Sequence, residues 1–260
     1  MRYFIVDAFA DKLFEGNQAG VCLPEKPLEK ELMQNIAAEN NLAETAFVTK
    51  GGQGYDLRWF TPRVEIDLCG HATLASAFVV ASFVDPAASV MDFHTQSGLL
   101  SVRKDRDLYE MDFPARPPAP IAVSSQMEQA VGVPVLEAHR SRDLLLLLEN
   151  QEQVRTLKPD LSLIARLPDC FAVVVTAPGE GGCDFVSRFF APNAGVPEDP
   201  VTGSSHSTLI PFWSRRLNKE TMTARQLSQR GGTLYCRSEG ERVRIAGKAA
   251  LYLQGEIHAQ

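Results

Sequence analysis

Three short segments carry residue types that could do chemistry. In Asn40-Asn41-Leu42-Ala43-Glu44-Thr45-Ala46-Phe47 a single carboxylate is set among Leu42, Ala43, Ala46 and Phe47. Apolar surroundings raise a carboxyl pKa toward the neutral range, where the group can take and return protons. A strand-edge glutamate facing solvent fits the same pattern. In Asp67-Leu68-Cys69-Gly70-His71-Ala72 a Gly turn opens a helix with His71 in its first turn. A helix start lowers a thiol pKa, so Cys69 is a candidate nucleophile; a capping histidine and a buried spectator thiol are the alternatives. The third segment, Pro197-Glu198-Asp199-Pro200-Val201-Thr202-Gly203-Ser204-Ser205-His206, sets Gly, Ser and Thr before a helix, as an anion cradle does. It lacks the GK[ST] ending of a phosphate loop and the GxGxxG pattern, so no nucleotide is implied. Ser204 and His206 have no GxSxG elbow around them, and His206 has no companions for a metal site.

Such residues act only if the fold holds them, and the chain repeats the device that would do so. Arg58-Trp59-Phe60-Thr61-Pro62 returns as Arg188-Phe189-Phe190-Ala191-Pro192, an offset of 130 residues. Each copy leads through a short acidic loop and a Gly turn into a small-residue helical pattern. The first is Gly70-His71-Ala72-Thr73-Leu74, the second Gly203-Ser204-Ser205-His206-Ser207-Thr208-Leu209. Gln96-Ser97-Gly98-Leu99-Leu100 is echoed by Gln229-Arg230-Gly231-Gly232-Thr233-Leu234, and amphipathic stretches at 28–37 and 161–167 precede the two copies. Order and offset are both kept, which divides the chain into two lobes of similar design. The pattern at 72–81 has no charge on any face and is expected to be enclosed by its own lobe's sheet. A helix opening at a Gly turn presents free backbone N–H groups and a positive dipole end. Two such helices in facing lobes would aim both ends at one cleft.

Strand patterns fall at 3–8, 44–49, 55–60, 89–94, 108–113, 143–149, 171–177, 185–190 and 243–246. Helical patterns fall at 29–40, 71–83, 124–131, 160–167, 205–216 and 221–225. Most strands follow one another directly, which predicts an α+β fold of mainly antiparallel sheets with a helix packed inside or against each. The expected boundaries are an N-terminal lobe at 1–114, a Pro-rich linker at 115–120 and a C-terminal lobe at 121–260, whose last strand can pair with the N-terminal lobe.

Composition narrows the partners. Of the 260 residues 45% are apolar and 22% charged, enough for a sizeable core. Lys and Arg number 26 against 32 Asp and Glu, a net charge of −6, and the densest basic piece, Arg103 to Arg106, is interrupted by Asp105, so no nucleic-acid face is expected. The longest nearly uncharged apolar run, 72–84, is too short to span a bilayer, and the start of the chain carries no signal-peptide pattern, so no membrane partner and a cytoplasmic location are expected. The five cysteines, Cys22, Cys69, Cys170, Cys183 and Cys236, are scattered and never form CxxC, as reduced thiols outside any disulfide framework or zinc site would be.

Several of these segments together resemble the PhzF family of phenazine-biosynthesis-type isomerases, which shares its fold with diaminopimelate epimerase. They are Asp7-Ala8-Phe9 with Gly16-Asn17, the stretch 38–47, Arg58-Trp59-Phe60-Thr61-Pro62 with Cys69-Gly70-His71-Ala72-Thr73-Leu74-Ala75, and Glu198-Asp199-Pro200-Val201-Thr202-Gly203-Ser204-Ser205-His206. The likeness runs essentially the whole chain, to Val243-Arg244-Ile245-Ala246-Gly247. It implies two pseudo-repeated lobes, each a mainly antiparallel sheet wrapped around a central helix, with a cofactor-free, metal-free site in the inter-lobe cleft and a homodimeric assembly. It places the family's catalytic residues on Glu44, His71 and Asp199 and its substrate contacts on Cys69, Gly70, Gly203 and Ser204. The implied reaction is a proton shift on a small carboxylate-bearing substrate, with Glu44 as base and acid. Ala43 stands where the family often has Ser, and Gln18 where a Pro often follows Gly-Asn. The epimerase relatives use two opposed thiols; here Cys69 matches the first and Pro200 stands in place of the second. A cysteine-dependent amino-acid racemase and a non-catalytic small-acid-binding protein of the same fold are the alternatives.

Overall fold

The computed structural model describes residues 1–259. It contains two compact units. One comprises 1–112 with 246–259, the other 113–245. The first unit runs β1 (Arg2–Ala8), β2 (Asn17–Leu23), α1 (Lys30–Asn40), β3 (Glu44–Lys50), β4 (Tyr55–Phe60), β5 (Glu65–Ile66), α2 (Gly70–Phe83), β6 (Val90–Thr95), β7 (Gly98–Asp105) and β8 (Leu108–Pro114), in which the boundary falls. The second runs β9 (Ala119–Ile121), α3 (Ser125–Val131), β10 (Glu137–Arg140), β11 (Leu144–Leu147), α4 (Gln151–Thr156), α5 (Leu161–Ile164), β12 (Val173–Pro178), β13 (Phe185–Ala191), β14 (Val196–Asp199), α6 (His206–Leu217), β15 (Thr221–Gln226), β16 (Gly232–Glu239) and β17 (Arg242–Gly247). The last strand, β18 (Ala249–Glu256), completes the first unit by pairing antiparallel with β1, Arg2 opposite Glu256.

The internal repeat is one of topology. In the first unit β1–β2 is antiparallel, β2–β3 parallel, β3–β4 and β4–β5 antiparallel, β4–β6 parallel and β6–β7 antiparallel. In the second unit β10–β11, β11–β12, β12–β13, β13–β14, β13–β15 and β15–β16 reproduce that series in order. The fold is α+β, with two pseudo-repeated units of mainly antiparallel sheet, each around a central helix.

The repeated Arg-aromatic-Phe motif has the same task twice. Arg58 Nε lies 2.7 Å from Glu65 Oε1 and its guanidinium covers the Phe60 ring at 5.3 Å. Arg188 Nε lies 2.7 Å from Glu198 Oε1 and covers Phe190 at 5.1 Å. Each pair ties a long strand to the short strand after it.

α2 is the central helix of the first unit. Ten of its fourteen residues are buried, and it packs against β1, β2, β3, β6, β7 and β18. Its buried hydroxyls are satisfied within the helix: Thr73 Oγ1 donates to Cys69 O at 2.6 Å and Ser76 Oγ to Ala72 O at 2.7 Å. Among the described residues no helix is long and apolar enough to cross a membrane. In the second unit α6 packs against β15 and β16. Pro211 inside α6 lacks an N–H for the Ser207 carbonyl, and the Arg116 N–H takes that acceptor at 2.8 Å. The remaining helices cover one side of the core: Met127, Val154 and Ile164 pack with Leu144, Leu146, Val173 and Val175. Ser124, Asn150 and Asp160 cap α3, α4 and α5 with side-chain oxygens.

Three expectations change. The Pro-rich stretch 115–120 is no free linker: Arg116 anchors it to α6, and Ala119–Ile121 pairs with β10. The segment 246–259, expected in the C-terminal lobe with its last strand able to pair with the N-terminal one, folds with the first unit as a whole. Residues 221–225, expected as helix, lie in strand β15, where Met222, Ala224 and Gln226 face inward with a period of two.

Candidate functional site

Glu44 is the first residue of β3, which runs parallel to β2 with Ala19 opposite Glu44. The chain reaches it from α1 through Asn41, whose left-handed backbone (φ 48°) ends the helix. Cys69 is the N-cap of α2 and uses no side-chain cap, and His71 follows in the first turn. The start of a helix leaves the N–H groups of Gly70 and His71 without intrahelical acceptors.

The His71 ring has different neighbours at its two nitrogens. Nδ1 faces Asn17 Nδ2 at 3.3 Å and Cys69 Sγ at 3.6 Å. Nε2 lies 3.0 Å from Glu44 Oε2. That contact is close but poorly aligned, an ion pair rather than a directed hydrogen bond, and neither atom has a hydrogen-bond partner among the described residues. The His71 side chain is 8% exposed and that of Glu44 17%, so the carboxylate keeps a solvent-facing side. Burial by itself pushes the His71 pKa down, but the Cys69 sulfur and the Glu44 carboxylate outweigh it and hold the ring well above the ordinary histidine value. Burial, then Glu44, pushes the Cys69 thiol up, against the pull of His71.

Glu44, Cys69 and His71 offer three potential ligand atoms within 4.8 Å of one another. Because sulfur and carboxylate face different ring nitrogens, the cluster suits proton sharing across the imidazole better than closure around one ion. Asn17, buried at the start of β2, belongs to a motif that carries the family resemblance but is not among the site residues that the resemblance implies.

The second-unit motif forms a cluster of its own. Asp199 ends β14, and its Oδ2 accepts from Thr202 Oγ1 at 2.6 Å. Buried Gln226 spans the turn: its Oε1 accepts from the Thr202 N–H at 2.9 Å and its Nε2 donates to Asp199 O at 2.7 Å. The helical ladder begins with His206 N–H donating to Gly203 O, so the N–H groups of Gly203, Ser204 and Ser205 precede it. His206 is completely buried and donates from Nδ1 to Thr202 O at 2.9 Å; burial pushes its pKa down to about 4, and the ring is neutral. Arg142, bound to Asp143 through two hydrogen bonds of 2.9 and 2.8 Å, reaches Ser204 Oγ at 3.4 Å and stacks on Phe171 at 5.0 Å. This fixed cation and Gln226 were not foreseen; both come from outside the motif, 62 residues before Ser204 and 24 after Thr202. Thus Glu44, Cys69, Gly70 and His71 are brought together in the first unit, and Asp199, Gly203 and Ser204 in the second.

The family profile PhzC-PhzF, described as phenazine biosynthesis-like protein, matches residues 6–255. An uncharacterized isomerase of Pseudomonas aeruginosa is 49% identical over 258 residues, 99% of both chains. The crystal structure of a PhzF-family phenazine biosynthesis protein from Enterococcus faecalis superposes with a TM-score of 0.98 at 48% identity, covering 99% of each chain. A hydroxyproline epimerase from Agrobacterium vitis shares the fold, with a TM-score of 0.61 at 12% identity over 99% of this chain and 90% of that one.

Proposed function

The chain belongs to the phenazine biosynthesis-like PhzC-PhzF family, and from that premise we propose that it is an isomerase that shifts a proton on a small carboxylate-bearing substrate, with Glu44 as base and acid. The observation that carries this is the Glu44 carboxylate: partly open to solvent and held 3.0 Å from an imidazole that has no other partner on that nitrogen. Glu44 removes a proton from carbon, and the imidazolium beside it stabilises the carboxylate before transfer and loses that partner after it. The N–H groups of Gly70 and His71 at the start of α2 offer donors to a substrate carboxylate or a developing enolate. We assign Asp199, Gly203 and Ser204 to substrate contact, supported by the turn that Gln226 and His206 hold and by its free N–H groups.

A racemase using Cys69 and Glu44 as its two bases is less well supported. Two bases that flank one carbon, each in reacting contact at about 3–3.5 Å, stand roughly 6–7 Å apart. The Cys69 sulfur and one Glu44 carboxylate oxygen lie within 4.8 Å of each other, closer than such a pair of flanking bases.

The test begins with a thermal-shift panel of small carboxylates, followed by incubation of each stabilising acid in deuterium oxide. Wild type incorporates deuterium into at least one acid. Glu44→Gln loses incorporation by about a hundredfold or more, the scale of general acid–base catalysis, with an unchanged melting temperature. Undiminished incorporation in Glu44→Gln would remove the glutamate from its role. Stabilisation with no incorporation into any ligand would instead indicate a binding protein.

A further inference from the structure

The His71 ring has two potential counter-ions, and the proposed chemistry uses one of them. Glu44 Oε2 lies at Nε2 and Cys69 Sγ at Nδ1, and His71 Nε2 is buried with no hydrogen-bond partner. A thiol at a helix N-terminus beside an imidazole, with a carboxylate on the far ring nitrogen, is the nucleophile, base and orienter arrangement of activated cysteines. We propose that Cys69 is a modification site for small soft electrophiles, active only when Glu44 is neutral, because His71 then takes the thiol proton at Nδ1 and pairs with the thiolate. The S–H bond breaks and an N–H bond forms at Nδ1. Asn17, 3.3 Å from that nitrogen, can turn its amide oxygen to accept it. With Glu44 charged, its carboxylate occupies the Nε2 side of the ring and disfavours a second anion within 4.8 Å. The inference rests on the reading of Glu44 as a proton carrier, but needs no substrate.

Iodoacetamide supplies the electrophile: the S–C bond forms, the C–I bond breaks and iodide leaves. The full-length protein is alkylated at pH 7, and each cysteine peptide is followed by mass spectrometry. Cys22 and Cys236, buried like Cys69 but without an imidazole partner among the described residues, serve as internal controls. Cys69 in Glu44→Gln is expected to react about tenfold or more faster than in wild type, the change that one pKa unit of thiol ionisation gives. The double variant Glu44→Gln/His71→Asn returns to the slow rate. Equal Cys69 rates in wild type and Glu44→Gln overturn the proposal, as does a fast rate that survives loss of His71. If Cys22 and Cys236 accelerate too, the variant has loosened, and thiolate ultraviolet absorbance decides. In that titration, Glu44→Gln must show the Cys69 thiolate, defined by subtracting the corresponding Cys69→Ser variants, at lower pH than wild type. An unshifted titration overturns the proposal. Retained deuterium incorporation in Glu44→Gln would sink the isomerase assignment whatever the alkylation shows, so the two fail separately.

Discussion

Two histidines open the two central helices and are shifted in opposite directions. His71 has a carboxylate at one nitrogen and a sulfur at the other, which hold its pKa up; His206 has a carbonyl at Nδ1, no anion beside it among the described residues, and is pushed down. This gives the second unit a defined acid sensitivity. In the unfolded chain His206 takes a proton near its ordinary 6.5, in the folded protein at about 4. Between those values the unfolded state binds more protons, so stability is complete above 6.5 and falls as pH drops toward 4, by about 3 kcal/mol for this group. His206→Gln, which keeps a donor for Thr202 O, is expected to flatten that fall. Denaturant titrations at a series of pH values from 7 to 4 measure it, and an equally steep loss in the variant would refute the assignment.

At the scale of elements, the paired Arg-aromatic-Phe motifs separate in their energetics. Arg58 is 35% exposed, and Lys30 also reaches Glu65 at 2.8 Å, so loss of Arg58 leaves Glu65 with a partner. Arg188 is 11% exposed and also donates to the carbonyls of Val154 at 3.2 Å and Leu157 at 2.7 Å, joining α4 to β13. Arg188→Ala is therefore expected to cost about 3 kcal/mol, as breaking a buried pair does, and Arg58→Ala about 1 kcal/mol. Urea unfolding of both variants checks the order; equal losses would mean that the backbone contacts contribute nothing. The same motifs show what the residue pattern can reveal. The strands at 55–60 and 185–190 and the helix at 71–83 stood out because most of their apolar residues are buried. Strand β7 escaped because one of its eight residues, Val102, is buried, and β18 because none of its residues is. Their pairing is set by neighbours distant in sequence, which propensity does not encode. At the site, Glu44, Cys69 and His71 were legible from local motifs and Asn17 only as part of a motif with no assigned role, whereas Arg142 and Gln226 contribute polar groups through the fold alone.

For the molecule as a whole, the first unit is discontinuous, its last strand coming from the far end of the chain. Met1 and Ile257 exchange backbone hydrogen bonds of 2.8 and 2.9 Å, and β18 pairs along all of β1. Truncation after Gly247 should therefore damage the first unit and spare the second. Limited proteolysis with peptide mapping is expected to cut within 1–112 at least tenfold faster than in the full chain, and within 113–245 at an unchanged rate. Uniform protection would show that β18 is dispensable.

The placement of β18 also sets an order of events during synthesis. β1 is made first but lacks one of its two neighbours until residues 249–256 leave the ribosome. At roughly 5–20 residues per second, the second unit is translated and free to close while that edge waits on the order of ten seconds. An unpaired strand edge is a template for pairing with other chains. The nascent protein is thus most vulnerable to aggregation after its first half is made and before its last strand arrives, and a chaperone acting on it would find its target in the oldest part of the chain.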